Sequence, residues 1–135
     1  MHIGSPDLAG LALAPGMPEF IPGVGSDIKD TDSKELAYPQ LPVACIKQIY
    51  LLAAVMQDPL PRVTCPTLVM HSREDHVVSP SNDPITVRLL GANRVELLWL
   101  DSSYHVATID NDKELIAQRT IGFIKSSPAA ERAAM

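Results

Sequence analysis

Two short apolar runs, Pro66-Thr67-Leu68-Val69-Met70-His71 and Val95–Leu100, constrain this chain more than any other feature. Neither alternates polar with apolar residues, as a strand wetted on one face would. A nearly unbroken run of this length suits a strand covered on both faces, as in a parallel sheet. Between the runs, Asp83-Pro84 offers a helix start and Gly91 a stop after Leu90, with Ser79-Pro80 an equally allowed start. Before the first run, Val43, Ile46, Tyr50, Ala53 and Ala54 recur at helical spacing and predict an amphipathic helix over about 42–57, ending at Asp58-Pro59. After the second, Asp110 or Asn111 is expected to cap a last helix on which Ile116, Thr120, Phe123 and Ile124 share a face. The order helix, strand, helix, strand, helix is that of a parallel α/β layer with right-handed crossovers. Two parallel strands leave unpaired backbone groups at each edge, so the expectation is the end of something larger.

The first forty residues read differently. Pro15, Gly16, Pro18, Pro22, Gly23 and Gly25 follow one another too closely for a long helix or a central strand. Such a stretch is a lid, a binding loop or a disordered arm. With 46% apolar and 20% charged residues the whole has the balance of a globular chain. A net charge of −5 makes a nucleic acid or an anionic membrane surface a poor partner. No apolar run approaches the roughly 18 residues of a membrane span. A secretory signal is not expected either: the start lacks a basic region, and Leu8–Ala14 is short, broken by Gly10 and closed by Pro15. Cys45 and Cys65 could form one disulfide but no framework, so a reduced, cytoplasmic chain is expected.

In open α/β sheets, ligands bind at the carboxyl ends of the strands. Two loops leave those ends: Ser72-Arg73-Glu74-Asp75-His76-Val77-Val78 and Asp101-Ser102-Ser103-Tyr104-His105-Val106. An acid in one and an imidazole in the other can form a pair that fixes the histidine tautomer and stabilises imidazolium while the second ring nitrogen acts as base. Asp101 is a rival acid, better placed to turn its own loop. His76 adjoins Asp75 and reads as a wall or surface residue that could ion-pair with it. The acidic stretch 27–35 reads as a solvated surface segment.

From about Leu60 to Lys125 the sequence resembles the C-terminal part of an α/β-hydrolase of the carboxylesterase and monoacylglycerol-lipase type. The resemblance rests on Cys65-Pro66-Thr67-Leu68-Val69, on Ser72–Val78, and on Ser103-Tyr104-His105-Val106 with Asp110 beyond. It implies Asp75 as catalytic acid and His105 as catalytic base, in the family's chain order. Glu19–Asp32 and the helix at 42–57 are similar to the segment that caps such sheets. The implied architecture is an irregular, partly helical cap-like segment over 1–58 and a C-terminal α/β-hydrolase core portion over 59–127, two parallel strands with flanking helices. A disordered tail is expected over 128–135. The implied substrate is a small carboxylic ester with an apolar acyl group, with no cofactor and no metal.

One part of the pattern is absent. No serine, Ser5, Ser26 and Ser72 included, has glycine at both −2 and +2, so the chain carries no G-x-S-x-G nucleophile elbow. Ser102 and Ser103 lie near His105 but on no such turn. Without a nucleophile the pair cannot run acyl transfer by the family's route, and the chain alone is expected to be inactive. The alternative is a non-catalytic remnant that associates, with itself or a partner, through its open sheet edge. A third reading starts from His71-Ser72-Arg73-Glu74-Asp75-His76, which is similar to the H-x-H-x-D-H zinc motif of metallo-β-lactamase-fold hydrolases. There Arg73 stands where a ligand belongs, its charge opposes Zn²⁺, and His71, inside the strand run, is expected to point into the sheet.

Overall fold

The computed structural model describes residues 14–127. Much of the start of the cap-like segment and the tail expected over 128–135 lie outside the described residues.

The proline- and glycine-rich segment forms no helix. Phe20–Pro22 (β1) and Gln40–Pro42 (β2) pair antiparallel, with Ile21 opposite Leu41. These three-residue strands are too short to carry a pattern of their own in the sequence. Gly23 makes the pairing possible: its N–H donates to Pro39 O at 2.9 Å, and an added Cβ would collide with the Tyr38 carbonyl. Helix α1, Val43–Val55, follows β2 directly. Its Val43 and Ala53 are buried, but Ile49, Leu51, Leu52 and Val55 are exposed. The helical period was legible, yet its apolar residues reach further round the helix than its packing covers.

The second half follows the expected order closely. β3, Thr67–Ser72, and β4, Val95–Leu100, form a parallel pair in register from Thr67 opposite Val95 to Ser72 opposite Leu100. Helix α2, Asn82–Leu89, lies between them in sequence and packs against both strands. It starts between the two starts the sequence allowed. Gly91 then lets the chain pass so close to the Pro61 carbonyl that a Cβ would clash with it. Helix α3, Lys113–Ser126, packs on β3 and on the 3₁₀ turn Ala107–Ile109. On its expected inner face Ile116, Thr120 and Phe123 are half-buried, whereas Ile124 is exposed.

The start of α3 departs from the expectation. Neither Asp110 nor Asn111 caps it; the residue before the first turn is Asp112, and its side chain makes no capping bond. Both carboxylates are engaged instead in holding the loop after β4.

Candidate active site

The parallel register brings the ends of β3 and β4 side by side, so the two loops leave the sheet at one place. Ser72, the last residue of β3, ties them together. Its hydroxyl donates to the Ser103 carbonyl and accepts the Glu74 N–H at 3.0 Å. Arg73 N–H donates to Leu100 O, extending the ladder by one rung.

Asp75 sits in the turn that follows, with its side chain 2% exposed. One carboxylate oxygen, Oδ1, accepts the backbone N–H groups of Val77 and Val78, both at 2.7 Å. The other, Oδ2, lies 2.8 Å from Nδ1 of His105 and 2.9 Å from Nε2 of His71. Burial works to raise the carboxyl pKa. The hydrogen bonds from His105, Val78, His71 and Val77 outweigh it and hold Asp75 below the ordinary carboxylate range. An ionised carboxylate only accepts, so His105 Nδ1 carries the hydrogen, and Nε2 makes no hydrogen bond among the described residues. The two residues singled out in the sequence thus form a hydrogen-bonded pair. The His105 side chain is 37% exposed and borders cavities of about 350 Å³ and 290 Å³, with Met70, Leu100 and Ile116 among the lining of one and Val24, Leu41 and Val77 in the other.

The loop that carries His105 is held by acids at the start of α3. Asp112 accepts the Ser102 N–H and the Ser103 hydroxyl, at 2.9 and 2.8 Å, while its own N–H donates back to Ser103 Oγ. Asp110 is fully buried. Its carboxylate accepts four backbone N–H groups, from Lys29, Asp30, Tyr104 and Asn111, each at 2.8–2.9 Å. Burial opposes its charge, but these bonds keep its pKa below the usual value.

Several residues the sequence raised fall elsewhere. Asp101 turns out to solvent and pairs with Arg73 at 3.0 Å. Ser103 is buried, with its hydroxyl engaged by Asp112, and is no nucleophile candidate. His76 is exposed and pairs not with Asp75 but with Asp27, at 2.8 Å. Asp27 is correspondingly no free surface acid: its Oδ2 accepts the N–H of His76 and of His105, and its own carbonyl accepts that of Val106. The Pro/Gly segment therefore grips both loops, which an acid in a polar stretch did not reveal. His71 does not point idly into the sheet. Its Nε2 meets Asp75, and its Nδ1 lies 2.6 Å from Oδ2 of Asp83 on α2. Both ring nitrogens are engaged by carboxylates, which leaves neither for a metal. Among the described residues no group of three or more His, Cys, Asp or Glu side chains is set out to hold a metal ion.

Residues 23–112 match the family model described as serine aminopeptidase, S33, a hydrolase family. The chain belongs to that family. It is 39% identical over 115 residues to a thermostable monoacylglycerol lipase of Bacillus sp. (strain H-257), covering 85% of this chain and 46% of that one. A carboxylesterase of Bacillus subtilis (strain 168) is 22% identical over 101 residues, 75% of this chain and 41% of the other. Among solved structures, one from work on the metagenome-derived lipolytic enzymes LipS and LipT superposes with a TM-score of 0.85 at 53% identity, over 92% of this chain and 51% of that one. A monoacylglycerol lipase of Paleococcus ferrophilus shares the fold, with a TM-score of 0.63 at 13% identity, over 87% and 50%. The chain is thus a lipase- and esterase-like member of the α/β-hydrolase fold, and it spans about half the length of these relatives. No helix of the described residues is long and apolar enough to cross a membrane.

Proposed function

We propose that these 135 residues supply the acid and the base of a serine carboxylesterase or monoacylglycerol lipase whose nucleophile lies outside them. The observation that carries the reading is the 2.8 Å bond between Asp75, its side chain buried and its pKa held low, and Nδ1 of His105, a residue that borders both cavities. In the reaction a serine hydroxyl attacks the ester carbonyl while His105 Nε2 takes its proton. Asp75 holds the Nδ1–H and stabilises the imidazolium as it forms. The tetrahedral intermediate then collapses, and His105 returns the proton to the departing alcohol. Water, activated by the same imidazole, releases the acid from the acyl-enzyme. The apolar side chains among the cavity linings, Met70, Leu100 and Ile116 in one and Val24, Leu41 and Val77 in the other, suit an acyl chain beside the Glu35 that borders both. Residues 17–56 act as part of a cap over it.

The test is hydrolysis of 1-monoacylglycerols and short-chain aryl esters by the 135-residue chain and by the polypeptide read from the coding DNA upstream of Met1. The expected result is no turnover by the chain alone, a G-x-S-x-G in the upstream reading frame, and turnover by the longer product. Ester turnover by the pure chain at rates typical of enzymes, a kcat of about 1 s⁻¹ or more, would overturn the proposal.

A second reading, a non-catalytic module that associates with a partner or with itself, draws on two observations. Among the described residues β3 and β4 each have one edge with no paired strand, and α1 shows apolar side chains to solvent. A stable homodimer of the pure chain, with no upstream nucleophile, would put this reading first.

A further inference from the structure

The acid–base pair is the end of a longer line. Asp83 Oδ2 lies 2.6 Å from His71 Nδ1, His71 Nε2 lies 2.9 Å from Asp75 Oδ2, and the same oxygen lies 2.8 Å from His105 Nδ1. The reaction above uses only the last two residues. His71 and Asp83 come from the end of β3 and the first turn of α2, and their side chains are 15% and 9% exposed. Burying an acid and an imidazole there is costly unless each is bonded, and each is.

Proton counting fixes what the inner pair presents. Asp75 is ionised and can only accept, so Nε2 of His71 must carry hydrogen. Nδ1 then either donates to an Asp83 carboxylate or accepts from a protonated Asp83 carboxyl. The two arrangements share one proton across the same short contact and have the same net charge. Burial, with the Asp75 charge adding to it, pushes the Asp83 carboxyl upward against the opposing pull of His71, which favours sharing the proton. On either side of that contact, the Nε2–H still points at Asp75.

We propose that His71, oriented by Asp83, is a positioning residue for the catalytic acid: its Nε2–H pins Asp75 Oδ2 where that oxygen receives the Nδ1–H of His105. The inference rests on reading Asp75 and His105 as acid and base. Among the described residues no other charged group is bonded to His71. From β4, Trp99 stacks on it at 6.4 Å; Arg73 covers the Trp99 ring and pairs with Asp101; Asp27 is taken by His76 and by the His105 backbone. Asp75 Oδ2 therefore divides its acceptor capacity between two imidazoles. Removing His71 leaves that oxygen looser, and a stronger base toward His105.

The experiment reads imidazole protonation in the ¹⁵N-labelled 135-residue chain by long-range ¹H–¹⁵N NMR. At pH 7 the expected spectrum has a protonated Nε2 on His71; an unprotonated Nε2 there overturns the proposal without any variant. His71→Leu is expected to move the His105 titration midpoint upward by about half to one pH unit. His71→Gln, whose amide N–H can take the place of Nε2–H, is expected to return it toward wild type. Asp83→Asn is expected to keep the Nε2–H, because the amide mimics a protonated acid. An unchanged His105 midpoint in a folded His71→Leu chain contradicts the proposal; should that variant not fold, the wild-type and Asp83→Asn spectra decide. None of these readouts needs a nucleophile. A complete polypeptide that fails to hydrolyse esters would remove the proposed function while leaving the spectra to stand or fall alone.

Discussion

The loop end of the β3–β4 sheet and the helix α1 are held by opposite means. At the loop end the buried residues, Leu100 apart, are polar: Ser72, Asn82, Asp83, Ser103, Asp110 and Asp112. Among the described residues no buried side-chain nitrogen or oxygen is left without a partner. On α1, Ile49, Leu51, Leu52 and Val55 stand in solvent, and its buried hydrophobic residues are Val43 and Ala53. The difference teaches which part of the geometry is self-contained. Hydrogen bonds among the loops fix the positions of Asp75 and His105 to within bonding distance. The apolar surface of α1 finds no such closure within the described residues.

The largest expected effect breaks the loop end chemically. In a polypeptide that also contains the nucleophile, His105→Ala should lower kcat for a monoacylglycerol by about 10⁴-fold or more, with KM changed far less. Steady-state kinetics check it, and a loss confined to KM would show that His105 only binds.

The next effect breaks it structurally. Asp110→Ala orphans four backbone donors in segments that come from both halves of the chain. It should cost about 3 kcal/mol or more in a urea melt, the scale of a buried hydrogen-bond network rather than of one surface bond. The corresponding change on α1, Leu51→Ser with Leu52→Ser, should alter stability by no more than about 0.5 kcal/mol each, because these side chains are more than half exposed. If the two regions responded alike, the contrast between them would be wrong.

Acid should act on the loop end first. Asp75 and Asp110 have folded pKa values below the 3.8 of a free Asp, so their stabilisation is present above that pH and is lost as the pH falls through the folded values. Asp83 has the opposite sign: its raised folded pKa adds a cost as the pH climbs from 3.8 through the folded value. Stability against urea should therefore fall below about pH 4, and Asp110→Asn, though weaker at neutral pH, should show a shallower acid slope. The smallest effect belongs to the exposed Arg73–Asp101 pair, whose removal should cost less than about 1 kcal/mol.

Much of the second half was legible in sequence because its signals are local. An apolar run of strand length, a proline or glycine at each boundary and a 3.6-residue period each act within one element. They returned β4 at its full extent and β3 displaced by one residue. That Asp75 and His105 would meet was legible through the loops that follow those strands, helped by the family resemblance. What escaped depends on contacts between distant segments. His71 was hidden inside a strand run, where its alternate-face position says nothing of a carboxylate on the next helix. Asp83 read as a helix start, and Asp27 as a surface acid, until the fold set them against β3 and the two loops. Asp110 and Asp112 have cap chemistry at the right place in sequence, but the loop after β4 offered their carboxylates more donors than the helix end did. The pairing of β1 with β2 rests on three residues a side, too few for a period to register.

The most direct test of the central claim, that these residues supply an acid and a base to a serine elsewhere, is labelling by a fluorophosphonate probe. The chain alone, the upstream-extended polypeptide, and that polypeptide with Asp75→Asn would be compared under one set of conditions. The expected result is no label on the chain, one labelled serine upstream of Met1, and labelling slowed by about 10³-fold or more in the variant. Label on a serine within the 135 residues, or labelling at an undiminished rate in the folded Asp75→Asn polypeptide, would contradict it.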